Sequence, residues 1–249
     1  MKPRSRIWFG LLVTCTATSD LGGQTGPDTA RLMNPAVTNG RTQLAWQAVS
    51  GTMLAASLLL DERLRAVALA NHSRTLDRIA AGADVLGTAR NMVPALAATY
   101  VTSRLFGKRA FAEATFHVAV SYLAADAIES TLKPIVGRVR PSEGREPLTF
   151  RPFAANGDFH SFPSAHVVHV ASVAAASALE MDRPWAFALA GAAMLYVGAQ
   201  RVYRDQHWSS DVVASAILST EIAHVVTTKL HHHHLTRHST ASSPSRQGG

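Results

Sequence analysis

Apolar stretches of helical length, most of them stopped by charged residues, recur along the chain, and the period-two alternation of half-buried strands is almost absent. This pattern restricts the fold to packed helices, since a strand shows alternate residues to opposite faces whereas a helix gathers every third or fourth residue. The expected class is all-α. Helices are predicted around 43–60, 63–70, 77–86, 92–106, 109–134, 164–179, 184–200 and 208–228. Pro94 is read as a helix start and Pro134 as a kink or an end.

The same stretches frame the question of a membrane. A spanning helix needs about 20 predominantly apolar residues. Ala48 to Leu60 is closed by Asp61-Glu62-Arg63, Ala114 to Ala125 by Asp126 and then Glu129, and the uncharged Trp185 to Gln200 is short and rich in Ala and Gly. Charges within lipid are costly unless they face a bundle or a polar cavity, and the mean hydropathy of +0.06 is low for repeated crossings. The first expectation is therefore a soluble exported domain, periplasmic or envelope-associated, with an integral inner-membrane enzyme as the alternative.

At 249 residues the chain suits one well-packed domain, assigned to 43–230. Residues 1–19 run from Lys2, Arg4 and Arg6 through Ile7 to Val13 into small polar residues, the order of a signal peptide. The single Cys15 excludes an internal disulfide framework and is a candidate lipid-attachment point. Residues 20–42 read as a lead-in loop. The tail 231–249 opens with His231 to His234 and turns polar, so disorder is predicted there and any metal binding by these histidines is taken as adventitious. The formal charge of +7 suits an anionic partner without choosing among phosphate esters, acidic lipids and nucleic acid.

Between Pro141 and Pro163 the helical pattern breaks into a segment carrying Phe150, Phe153, Phe159 and Phe162. Its length and aromatic content point to an ordered functional loop. Three clusters surround it. Lys133 and Arg140 would share a face if the helix persisted through Pro134 and Gly137, pairing a compact charge with a rigid fork suited to phosphate. Ser164 and Ala165 stand at a helix start, where free amides and the helix dipole favour an anion, and His166 follows as a proton carrier. Arg201 precedes His207 and Asp211, whose spacing of one helical turn would let the carboxylate hold one ring nitrogen and leave the other facing substrate.

In order, the blocks Lys133-Pro-Ile-Val-Gly-Arg-Val-Arg-Pro141, Pro163-Ser-Ala-His166 and Arg201-Val-Tyr-Arg-Asp-Gln-His-Trp-Ser-Ser-Asp211 resemble the type 2 phosphatidic acid phosphatase (PAP2) superfamily, which includes bacterial non-specific acid phosphatases and vanadium haloperoxidases. The resemblance spans Glu113 to Val226 and implies an acid phosphatase-like helical bundle. It implies that Lys133, Arg140 and Arg201, with Ser164 and the amide of Ala165, clamp phosphate. His207 is then the nucleophile, His166 the general acid and Asp211 the orienting partner. Two departures stand out: Ala165 replaces the usual glycine, and Gln200 stands where serine is common. An alanine at a left-handed position would compromise activity; in helical geometry the substitution costs little.

The expected reaction is hydrolysis of phosphate monoesters through a phosphohistidine on His207. No cofactor or metal is required, because the nucleophile is a side chain. Phosphorylated small molecules or lipids, not nucleic acid, are the expected partners. A membrane-embedded lipid phosphate or prenyl diphosphate phosphatase is the alternative within the chemistry. A haloperoxidase and a non-catalytic anion-binding envelope protein are the alternatives outside it.

Overall fold

A computed structural model describes residues 40–241, with side chains described for 43–231. The predicted signal peptide, Cys15 and nearly all of the lead-in lie outside the described residues. Seven α-helices account for most of what is described: α1 Gly40–Ala70, α2 Arg74–Gly87, α3 Ala89–Leu105, α4 Arg109–Val136, α5 Ala165–Met181, α6 Pro184–Tyr203 and α7 Ser209–Ala241. Short 3-10 turns, Pro141–Glu143 and Gly157–Phe159, punctuate the long connection between α4 and α5. Among the described residues β structure is limited to one isolated bridge, Arg138 to Phe150, so the all-α expectation holds.

The centre of the bundle is α5, which packs most extensively on α7, α4 and α6. Its sequence is built from Ala, Val and Ser, and Val167, Val168, Ala171, Ser172 and Ala176 are sealed from solvent. Small side chains let neighbouring backbones approach closely on every side, as in helix pairs that lack a thick apolar stripe. Outer helices complete the layer: α1 lies on α7 and α6, and α2 bridges α6 and α5.

Several local expectations change. Asp61-Glu62-Arg63 does not end the first helix: Asp61 is buried, accepting from Arg138, Ser209 and Ser210, so its charge is satisfied inside and α1 continues to Ala70. Pro94 lies inside α3 and Pro134 inside α4, which runs on to Val136. Gly137 then closes α4 in a left-handed conformation (φ 58°), where a side chain would strike the Arg151 carbonyl. The polar tail is helical as far as Ala241. No glycine or proline intervenes before that point, and adding residues to an existing helix is cheap once it is nucleated.

The distribution of polarity is unusual. Asp61, His117, Glu129, Arg138, Arg201, His207 and Asp211 are buried, while Leu44, Leu59, Leu105, Phe111, Leu123, Trp185 and Leu195 are exposed. Six hydroxyls on the helices are satisfied within their own backbones: Thr52, Thr99, Ser103, Thr115, Thr131 and Thr220 each donate to the carbonyl four residues earlier. Of the described helices, one stretch, Gln43–Ala70 of α1, is long and apolar enough to cross a bilayer, and its most apolar window is only 11% buried.

Candidate active site

The chain ends that bear the three motif clusters meet at one end of the bundle: the last turn of α4, the first turn of α5, the last turn of α6 and the start of α7. The α4 to α5 connection folds over them. Ser161 donates its amide to Arg138, Val139 donates to Thr149, and Arg151 donates to Gly137, which ties the loop into paired strands of chain without a sheet. Of its aromatics, Phe159 is buried beneath the guanidinium groups of Arg145 and Arg151, whereas Phe150 and Phe153 project outward.

Lys133 and Arg140 do not share a helix, because α4 stops at Gly137. Lys133 is held by an ion pair with Glu129 one turn earlier. Arg140 is returned by the loop, donating to the Gly157 carbonyl at 2.9 Å and the Gln206 side chain at 2.7 Å. The charges of Arg140, Lys133 and Arg201 nevertheless all act on the His207 ring. Arg201 and Lys133 likewise lie within electrostatic reach of His166.

Ser164 is the N-cap of α5, completely buried; its amide donates to Ser215 at 2.8 Å while its hydroxyl has no partner among the described residues. A buried hydroxyl at a helix start, beside amides with no intrahelical acceptor, can donate to an anion. Ala165 opens the helix and is not among the positive-φ residues, which are Phe153, Asp182 and Asp205 apart from glycines. Its methyl therefore carries no conformational strain, which removes the concern raised by the departure from glycine.

His207 lies in the turn between α6 and α7 and is 4% exposed. Its Nδ1 faces the Ser161 carbonyl oxygen at 2.5 Å, not Asp211. The one-turn argument fails because α7 begins only at Ser209, leaving His207 outside the helix. Asp211 instead accepts from the Trp208 amide at 2.9 Å, from the Ser161 hydroxyl at 2.6 Å and from Arg138 at 2.6 Å. The Trp208 bond is that of a carboxylate in the first turn reaching back to cap its own helix. Ser161 thus joins the two groups, its carbonyl on His207 and its hydroxyl on Asp211.

A carbonyl oxygen can only accept, so Nδ1 carries the proton and the Nε2 lone pair is left free. Burial pushes the imidazole well below the usual histidine range; Arg140 adds to this, the Ser161 bond opposes it, and Lys133 and Arg201 add smaller contributions. These effects favour the neutral ring, whose Nε2 keeps its lone pair.

Sequence reading missed the residues that hold Asp211 and Arg201 in place. Arg138, 3% exposed, joins Asp211 and Ser210 through one nitrogen and Asp61 of α1 through another at 2.8 Å, while its Nε donates to the Pro147 carbonyl. Asp61, closing an apolar run, carried a signal, and so did Asp84, a carboxylate inside the apolar stretch 79–86. From α2 its carboxylate engages the Arg201 guanidinium, accepts from Gln200 at 3.0 Å and stands 3.8 Å from His166 Nε2. Gln200 also accepts from Arg201 Nε at 2.5 Å, so this departure serves to hold the arginine. Gly87 packs against His166; a Cβ there would fall 2.5 Å from its ring.

The sequence model of the PAP2 superfamily matches residues 114–234. Among solved structures, the crystal structure of a transmembrane PAP2-type phosphatidylglycerolphosphate phosphatase from Bacillus subtilis is similar, with a TM-score of 0.58 and 20% identity over 82% of this chain and 98% of that one. At this identity the likeness establishes the fold. No curated protein matches the sequence.

Proposed function

Because the chain belongs to the PAP2 superfamily, we propose that it is a membrane-embedded phosphatase that removes phosphate from a lipid phosphate ester through a phosphohistidine on His207. The observation that carries the membrane reading is the inverted polarity of the bundle. Large apolar side chains of α1, α3, α4 and α6, among them Leu59, Leu105, Leu123 and Leu195, face outward around a buried polar interior. Water would exact a high cost for so much exposed apolar surface, and lipid would not. This replaces the soluble exported domain as the favoured reading. The described name of the solved relative, a transmembrane lipid phosphatase, agrees with it.

In the proposed reaction, Arg140, Arg201 and Lys133 hold the phosphoryl oxygens with the Ser164 hydroxyl and the amides at the start of α5. Such preorganised donors act on charge that persists through phosphoryl transfer. Nε2 of His207 forms the N–P bond as the ester O–P bond breaks. His166, which takes up a proton when the anionic substrate offsets the neighbouring Arg201 and Lys133, passes it to the departing alkoxide. Water, deprotonated by His166, then cleaves the N–P bond and releases inorganic phosphate. Asp211 acts through Ser161 and Trp208, holding the turn that presents His207.

The test is a phosphate-release panel on purified, detergent-solubilised protein, combining lipid phosphates, prenyl diphosphates and soluble phosphomonoesters with membrane fractionation of the expressed chain. Partition to membranes and preference for a lipid phosphate are expected. Recovery in the soluble fraction with preference for small esters would overturn the reading. His207→Ala must also abolish acid-labile phosphate captured by rapid quench.

A further inference from the structure

At the end of the bundle remote from these residues, three side chains from three helices converge. His117 lies in the first half of α4 and is fully buried, Glu180 in the last turn of α5 is almost buried, and His231 is exposed on α7. Nδ1 of His117 stands 2.8 Å from Oε1 of Glu180, and Nε2 of His231 stands 3.3 Å from the same oxygen. All three ligand atoms lie within 4.8 Å of one another. The His231 ring meets that of His117 edge-on with centroids 5.1 Å apart.

We propose that His117, Glu180 and His231 bind a divalent transition metal, best suited to Zn2+, that clips α7 to α4 and α5. Two imidazoles and a carboxylate form a common zinc donor set, and bonds of about 2.0–2.2 Å in tetrahedral geometry separate donors by roughly 3.4 Å. Two of the observed spacings, 2.8 and 3.3 Å, lie just below that value and the third is no more than 4.8 Å, so small side-chain adjustments would bring the three donors to tetrahedral separations. A water molecule would take the fourth position. Hard cations such as Mg2+ and Ca2+ prefer all-oxygen sets and are poorly served here.

The site lies on the turns opposite those bearing His166 and His207, so its role is structural. A ligand bound to the folded arrangement would stabilise the end of the long α7 by mass action. The first histidine of the run that composition alone marks as an adventitious metal binder thereby completes the proposed site.

The experiment uses full-length protein in detergent, stripped with a chelator, dialysed against Zn2+ and read by elemental analysis and melting temperature. One Zn2+ per chain is expected, with a rise in Tm that a chelator reverses. Replacing His232, His233 and His234 together by Gln should preserve both readouts. Glu180→Gln and His231→Gln should each weaken binding by about a hundredfold, and the exposed position of His231 makes its variant independent of core folding. Co2+ bound in place of Zn2+ should show the absorption of a four-coordinate nitrogen and oxygen site. Loss of Zn2+ in the triple variant with retention in Glu180→Gln and His231→Gln would overturn the proposal, as would failure of the parent chain to hold stoichiometric metal. Neither readout depends on which phosphate ester the chain hydrolyses.

Discussion

Nδ1 of His207 lies 2.5 Å from the carbonyl oxygen of Ser161, and this backbone contact, with no carboxylate on the ring, fixes the tautomer of the proposed nucleophile. Asp211 reaches the same residue from the other side, through the Ser161 hydroxyl. The arrangement separates two tasks that a direct His–Asp pair would combine. One group orients the ring, and another holds the turn that carries it.

Ser161→Ala keeps the carbonyl and removes only the hydroxyl donated to Asp211. Its kcat is expected to fall by less than tenfold, with a stability loss of about 1 kcal/mol. Asp211→Asn weakens the buried pair with Arg138, which keeps Asp61, and should cost more, about 1.5–3 kcal/mol for charge-assisted hydrogen bonds. Thermal melts in detergent beside phosphate-release rates distinguish the two. A collapse of kcat in Asp211→Asn at unchanged Tm would place the carboxylate in the chemistry directly.

The depressed basicity of His207 fixes the sign of a pH effect. A ring whose pKa is well below the usual value stays neutral through mildly acidic pH, so the limb of kcat/KM reporting its protonation lies below the ordinary histidine range. Arg140 contributes the largest of the charge effects that lower it. Arg140→Gln should move that limb to higher pH while also reducing the rate. The check is a pH profile of kcat/KM for both forms; a limb that stays in place or moves to lower pH contradicts the assignment.

Asp84 places a carboxylate on Arg201, within the proposed phosphate clamp. An incoming phosphoryl group must compete with it. Asp84→Asn removes that charge and should tighten inhibition by inorganic phosphate several-fold, on the order of 1 kcal/mol for a half-exposed pair. Competition assays supply the inhibition constant, and weaker phosphate inhibition in the variant would mean that the carboxylate positions Arg201 for substrate.

Gly87 gives way to His166, and Cβ, Cγ and Cδ2 of that histidine would all lie within 2.8 Å of a new methyl. Gly87→Ala is therefore expected to lower kcat by at least about tenfold through displacement of the ring, with overpacking costing about 1–3 kcal/mol. Steady-state kinetics with a melting curve test this. Near-normal kcat would show that α2 can move aside without disturbing His166.

How much of this was legible beforehand differs by scale. Helix period alone located α2 to α6 to within a few residues, and the motif blocks gathered Lys133, Arg140, Ser164, Ala165, His166, Arg201, His207 and Asp211 as candidates. Where local rules failed, a distant partner was responsible. Asp61 looked like a helix stop because an unpaired carboxylate is costly in an apolar run; Arg138, far along the chain, removes that cost. The His207 and Asp211 spacing looked like contact because it assumed a helix that begins two residues too late.

The helical class, the three anion-seeking blocks and their family are readable from the chain alone, because these follow from residue types at short, fixed separations. Which atom orients His207, that Asp84 of α2 engages Arg201, that polarity is buried while leucines face outward, and that His117, Glu180 and His231 meet emerge only in the folded molecule. The physical reason is common to all four. Each depends on groups brought together by helix packing across long chain separations, where side-chain direction and burial, not spacing, decide which partners are within reach.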